Sequence, residues 1–210
     1  MTGLEWIFGG GNVRTALGLF WRRLVSNPRG IGAVVPSAPA LSRRMAREVL
    51  LRDGEAVVEL GPGTGAVTQA LIKAGVPEER LILVERDREM HGYLVNQFPG
   101  ALVLHGDAAE LGQVLPQAWK GRVSTVISSL PLLGLPIARR ARIADAVFDT
   151  LAEGGRMVQY TYLPFCPLRR AVPGLKSKRA GFVALNIPPA TIWRYTSRGG
   201  GKASPCSPAS

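Results

Sequence analysis

The apolar run Val57-Val58-Glu59-Leu60 closes on Gly61-Pro62-Gly63-Thr64-Gly65 and passes at once into a helix-forming stretch from Ala66. Few folds accept a strand that ends in closely spaced glycines and opens a helix. The turn takes dihedral angles that a Cβ opposes, and it lets a ligand approach the backbone. Glu85 lies 20 residues past Gly65 at the end of the next apolar run, where an acid can accept hydrogen bonds from both hydroxyls of a ribose. The combination reads as a nucleotide-cofactor site on an α/β sheet. Its spacing is G-x-G-x-G, whereas a dinucleotide site with a helix aimed at a pyrophosphate reads G-x-G-x-x-G. Glu59 also places an acid inside the strand, which suits a ligand whose near end is positive rather than phosphorylated.

The pattern around this turn repeats. Short runs rich in Val, Leu and Ile at 56–60, 81–85, 101–105, 123–128 and 156–162 are expected to be buried parallel strands. Between them, helices are expected at 66–74, at 88–98 behind an Asp87 cap, at 109–115, and at 136–151 with Pro136 at its first position and Gly154-Gly155 as its stop. Alternation of this kind predicts a doubly wound, Rossmann-like α/β sheet with helices on both faces. Residues 182–187 and 190–196 flank Asn186-Ile187-Pro188-Pro189, which predicts an antiparallel C-terminal hairpin on the sheet edge and brings the strands to seven.

Before the sheet, Asn12 can cap an amphipathic helix to about Ser26, with Val13, Ala16, Leu17, Phe20 and Leu24 on one stripe and Arg14, Arg22 and Arg23 off it. Asn27-Pro28 ends it. A second helix is expected near Pro39, turning Leu41, Met45 and Val49 inward and Arg43, Arg44 and Arg47 outward. The division is then residues 1–30 as a basic amphipathic segment, 31–198 as the α/β domain, and a Gly, Ser and Pro tail at 199–210 that is expected to be disordered.

Charge follows the same division. Residues 1–52 carry 8 basic and 2 acidic side chains, residues 53–153 carry 9 and 13, and residues 154–210 carry 9 and 0. Two basic flanks around a mildly acidic centre imply an anionic partner at the ends of the chain, and a membrane or a nucleic acid both qualify. The longest apolar run, 123–138, is broken by Pro131 and Pro136 and is too short to span a bilayer. Glu5 and Gly9-Gly10-Gly11 interrupt any signal-peptide core. Cys166 and Cys206 lack a His at zinc-ligand spacing, so neither a metal site nor a disulfide framework is expected, and a reducing compartment is.

With these residues in view, the stretch from about Glu55 to Tyr162 resembles the seven-stranded class I methyltransferases that bind S-adenosylmethionine. The resemblance implies that Gly61, Gly63 and Gly65 form the cofactor turn and that Glu59 interacts with the methionine moiety. It implies that Glu85, with Arg86 beside it, binds the ribose, and that Gly106-Asp107-Ala108 is the loop whose Asp meets the adenine amine. The stretch from Val57 to Gly65 is also similar to its counterpart in the ribosomal RNA adenine dimethylases, but Ser129 and Leu132 stand where that family has an Asn and a base-stacking aromatic. Over nearly the whole chain the closer resemblance is to the bacterial phospholipid N-methyltransferases. It rests on Asn27-Pro28-Arg29, on Gly32 to Leu41, on Ser129-Leu130-Pro131 and on Gln159-Tyr160-Thr161-Tyr162.

That family implies stepwise methylation of phosphatidylethanolamine toward phosphatidylcholine, at the inner face of the cytoplasmic membrane, with the N-terminal segment docked on an anionic surface. RNA adenine methylation is the alternative, and no stable protein partner is implied. The chemistry is attack by a neutral amine on a sulfonium methyl, which needs orientation and a cradle for developing positive charge rather than a metal or a covalent intermediate. Ser128, Ser129 and Leu130, through their backbone carbonyls, and Tyr160 are the candidate cradle, and Ser128 also adjoins the cofactor. Arg169, Arg170, Lys176, Lys178 and Arg179 are candidates for a lipid phosphate.

Overall fold

The computed structural model describes residues 38–184 and 188–196. The expected helix from Asn12 to Ser26, the turn residues Asn186 and Ile187, and the tail at 199–210 lie outside the described residues.

Five parallel strands form the body of the sheet: β1 Ala56–Leu60, β2 Leu81–Glu85, β3 Leu102–His105, β4 Val123–Ser128 and β5 Leu151–Thr161. Two more, β6 Lys176–Val183 and β7 Ala190–Thr196, extend it, with β7 running antiparallel between β5 and β6. The order is β3-β2-β1-β4-β5-β7-β6. β1 and β4 are buried throughout, which is why their sequences are continuous rather than alternating apolar runs.

Helices α1 Ala38–Ala46, α2 Ala66–Lys73 and α3 Arg88–Gln97 cover one face, where Met45, Leu71, Leu94 and Phe98 pack on Val57, Leu83, Ile127 and Val158. Short α4 Leu111–Val114 and α5 Ile137–Thr150 cover the other, setting Leu111, Ile143 and Val147 on Val58, Ile82, Val126 and Met157. Chain order reverses between β1 and β4. Their following loops therefore diverge to opposite sides and open a crevice at the carboxyl ends of these strands.

The expected boundaries of β1, β2, β4 and β7 match, and Asp87 caps α3 by accepting from the Met90 N–H at 3.0 Å. Three expectations need correction. β6 begins at Lys176, six residues before the predicted start. It is an edge strand whose first four residues are exposed and mostly basic, so neither alternation nor an apolar run marks it, and its charges guard the edge against further pairing. β5 begins at Leu151, directly after α5. Leu151 pairs with Val123 and Arg156 with Thr125, so residues 152–155 bulge, with Gly154 at φ 70°. Pro136 is the cap residue of α5 rather than its first helical position.

Gly65 shows how tightly α2 enters. Its φ is 78°, and a Cβ there would run into the ring of the buried Phe98. Gly65→Ala is expected to lower unfolding stability by about 1–3 kcal/mol through overpacking alone, measured by urea denaturation.

Candidate active site

The crevice is organised by Glu59, which has no solvent exposure. Its Oε2 accepts from the Thr68 hydroxyl of α2 at 2.6 Å, and its Oε1 from the Ser129 hydroxyl in the loop after β4 at 3.1 Å. The Ser129 N–H also donates to the Leu60 carbonyl at 2.9 Å. One carboxylate thus joins three elements. Burial pushes the Glu59 carboxyl up to about 7 against the pull of the two hydroxyls, and Glu85 adds a smaller push in the same direction.

The glycine turn lies above it. Gly61 and Gly63 have φ of 66° and 55°. A Cβ on Gly61 would come within 2.6 Å of the Leu130 side chain, whereas around the corresponding point on Gly63 there is no heavy atom within 4 Å. Gly61 is therefore glycine to let the two loops close, and Gly63 faces open space. The Gly63 N–H donates to Glu85 Oε2 at 3.3 Å, and Glu85 Oε1 accepts from the N–H groups of Arg86 and Asp87 at 2.8 and 2.9 Å. The Glu85 carboxylate is thereby fixed at the rim of the turn. An open cradle beside a fixed carboxylate fits the sugar and the methionine end of S-adenosylmethionine.

Asp107 follows β3 on the adjoining rim. Its Oδ1 accepts from the Ala109 N–H at 2.9 Å, capping the short turn that includes Ala108, and its Oδ2 pairs with Arg139 of α5. Arg86, largely exposed, reaches to 3.9 Å. Partial burial alone would raise this carboxyl, but the Ala109 N–H and the Arg139 guanidinium outweigh it and hold Asp107 below the usual carboxylate range. Gly106 is packed against Val114, so that loop has no room for a larger residue. Arg139 was not predicted: helix periodicity shows which way it faces but not which acid it meets.

Of the candidate cradle groups, Ser128 is fully buried at the end of β4, and its hydroxyl has no hydrogen-bond partner. The Leu130 carbonyl accepts from the Leu132 N–H at 2.9 Å and from Gln159 Nε2 at 3.0 Å, so it is committed within the protein. Tyr160 stands edge to face with Tyr162, ring centroids 5.5 Å apart, and burial raises its hydroxyl well above the ordinary phenol range. His91 and His105 meet edge to face at 5.6 Å by the far edge strand β3, and His105 Nε2 donates to the Arg86 carbonyl at 3.0 Å. The sequence-predicted basic cluster divides: Lys176 and Lys178 share one face of β6, while Arg179 is in register with Trp193 on the other.

Known proteins match this arrangement. The chain is 30% identical over 175 residues to the ornithine lipid N-methyltransferase of Singulisphaera acidiphila, covering 82% of this chain and 91% of that protein. It is 33% identical over 101 residues to ribosomal RNA small subunit methyltransferase A of Phenylobacterium zucineum, covering 46% of this chain and 34% of the relative. Among solved structures, the TehB-like SAM-dependent methyltransferase of Corynebacterium glutamicum superposes with a TM-score of 0.56 at 16% identity, over 89% of this chain and 98% of that one. No family model matches.

Two outcomes are expected. Glu85→Ala weakens S-adenosylmethionine binding by about 1.5–3 kcal/mol in calorimetry, because hydrogen bonds to a charged group are lost. Glu59 holds a proton in the folded chain up to about pH 7 and releases it near 4.5 when unfolded, so stability falls as pH rises across that window. Glu59→Gln flattens this slope, which urea midpoints measured from pH 4.5 to 8 will show.

Proposed function

Because the chain belongs to the family of the Singulisphaera acidiphila lipid N-methyltransferase, within the class I S-adenosylmethionine-dependent methyltransferases, we propose that it methylates the headgroup amine of a membrane lipid. Ornithine lipid is the first candidate, supported by a match that runs nearly the full length of that relative. Phosphatidylethanolamine, expected from the sequence motifs, is the second and presents the same primary-amine chemistry on its way to phosphatidylcholine.

S-adenosylmethionine supplies the electrophilic methyl group. In this reading the chain does the rest. The open turn at Gly63 and the Glu85 carboxylate hold the cofactor, and the amine approaches past Tyr160, at the carboxyl end of β5, and the Ser129 hydroxyl in the loop after β4. An alkylammonium must lose a proton before it can attack. Ser129 accepts that proton and passes its own hydroxyl proton to Glu59, whose pKa of about 7 suits a base at neutral pH. The amine lone pair would then be free to form the N–CH3 bond as the sulfonium S–CH3 bond breaks, with S-adenosylhomocysteine as the leaving group. Methyl transfer accordingly rises with pH as Glu59 ionises.

Adenine in RNA is the weaker reading. The ribosomal RNA relative matches under half of this chain. Leu132, which stands where the dimethylases carry a stacking aromatic, is 1% exposed and packs in the core, so it offers no platform for a flipped base.

Contact with the membrane falls, in this reading, to the segment from Asn12 to Ser26. Its Arg14, Arg22 and Arg23 each contribute ~1 kcal/mol near an anionic surface while the apolar stripe enters the interface. The enzyme then works peripherally at the inner face of the cytoplasmic membrane. No helix among the described residues is long and apolar enough to cross one.

Incubating the protein with labelled S-adenosylmethionine, total RNA and vesicles containing ornithine lipid or phosphatidylethanolamine tests the assignment. Label is expected in lipid amines. Label in methylated adenosine with unlabelled lipids would reverse it, and the ratio between the two lipids ranks the candidate substrates.

A further inference from the structure

The outer part of the sheet carries a cationic pocket that the methyl-transfer site does not use. Arg156 of β5, Lys176, Ser177 and Lys178 of β6, and Arg194 and Thr196 of β7 line a cavity of about 370 Å³. Register explains why four cations converge there. Arg156 pairs with Thr196 and Thr196 with Lys176, and Val158 pairs with Arg194 and Arg194 with Lys178. Residues in register share a face, so Arg156, Lys176, Lys178 and Arg194 stand on the same side of three neighbouring strands. It is the α1 side, because Arg194 reaches Glu48, just past the end of α1, at 3.4 Å.

The charge there is not balanced. Glu48 is shared between Arg194 and Arg44, the latter at 2.6 Å, and Arg52 pairs with Glu55 at 2.8 Å. Among the described residues no carboxylate forms an ion pair with Arg156, Lys176 or Lys178. Arg156 Nε is buried and has no hydrogen-bond partner. Burial, and then the facing Arg194 guanidinium, lower the affinity of Arg156 for its proton. A phosphate brings acceptor oxygens that suit a buried guanidinium N–H, two ammonium groups and the hydroxyl of Thr196.

The cavity is separate from the transfer crevice. Thr125 is the register partner of Arg156, and the carboxyl end of that pair of strands is three residues on, at Ser128 and Gln159. At ~3.3 Å per residue this is roughly 10 Å along the strands, and β5 lies two strands from the glycine turn that follows β1, another ~10 Å across.

We propose that this pocket binds the phosphate of an anionic phospholipid headgroup, a lipid that is held but not methylated, and so seats the enzyme on its membrane. The choice of a lipid over other phosphate carriers rests on the proposed lipid substrate.

The test uses the full chain and the paired exposed-strand variant Lys176→Gln/Lys178→Gln, with Arg156→Gln as a second variant. Arg156 lies within the sheet, so the lysine pair carries the decision if Arg156→Gln fails to fold. Sedimentation with phosphatidylglycerol vesicles is expected to weaken at least fivefold in the lysine pair, with weak binding to phosphatidylcholine vesicles throughout and S-adenosylmethionine affinity unchanged. Parent-like sedimentation of the lysine pair overturns the proposal. So does saturable binding of inorganic phosphate with no preference for anionic vesicles, which assigns the pocket to a soluble phosphate compound. RNA that binds the parent more tightly than vesicles, and is lost in the lysine pair, also overturns it. If no lipid amine is methylated while vesicle binding still depends on Lys176 and Lys178, the proposed function fails and this site stands.

Discussion

Glu59 lies in the central strand without solvent exposure, and withdrawing a carboxylate from water costs several kcal/mol unless charge or hydrogen bonds answer it. No cation answers it among the described ion pairs. Two hydroxyls do, one from α2 and one from the loop after β4. The group is left short of full compensation, which is why its affinity for a proton is high. The same shortage has structural consequences. Thr68 and Ser129 are drawn to one point, and α2 and the loop after β4 take their positions relative to β1 from it. The crevice is therefore held by an interaction that is strained when ionised and relaxed when protonated, a sensible state for a group expected to exchange a proton near neutral pH.

The glycines of the turn are alike in sequence and unlike in duty. All three take positive φ, but Gly65 is needed because Phe98 occupies the space of a side chain, and Gly61 because Leu130 does. Only Gly63 borders open space. Packing constraints at the two outer glycines hold the middle one at the rim, and the Glu85 carboxylate then meets its N–H. The local sequence thus places a rigid frame around a single yielding point, and a ligand can approach the backbone there without displacing any part of the core.

Much of this is legible in the amino-acid sequence. Buried parallel strands read as apolar runs because both of their faces are covered, so β1, β2 and β4 were bounded correctly, and the glycine turn and Glu85 carried the cofactor reading. What failed was whatever depends on partners distant in sequence. Lys176, Lys178 and Arg179, candidates for a phosphate that precede the strand expected at 182, are strand residues because β7 pairs with them. Asp107 caps through Oδ1, and its Oδ2 meets Arg139, 32 residues away, a partner that no local pattern announces. Leu130 looked like a spare carbonyl until Gln159 claimed it from β5.

The antiparallel strand accounts for the basic C-terminal stretch. Inserting β7 between β5 and β6 makes β6 the sheet edge, and an edge strand is protected by charges that make pairing with another chain unfavourable. Protection alone asks only for charge along the rim. Here two of the four cations, Arg156 and Arg194, belong to interior strands, where guarding an edge gains nothing, and Glu48 forms an ion pair only with Arg194 of the four. Stability therefore does not explain their alignment with Lys176 and Lys178, and neutralisation by an anion does. With that anion on the α1 side and the crevice at the strands' carboxyl ends, one rigid sheet can be held at a surface by one region while the other stays open to a lipid amine.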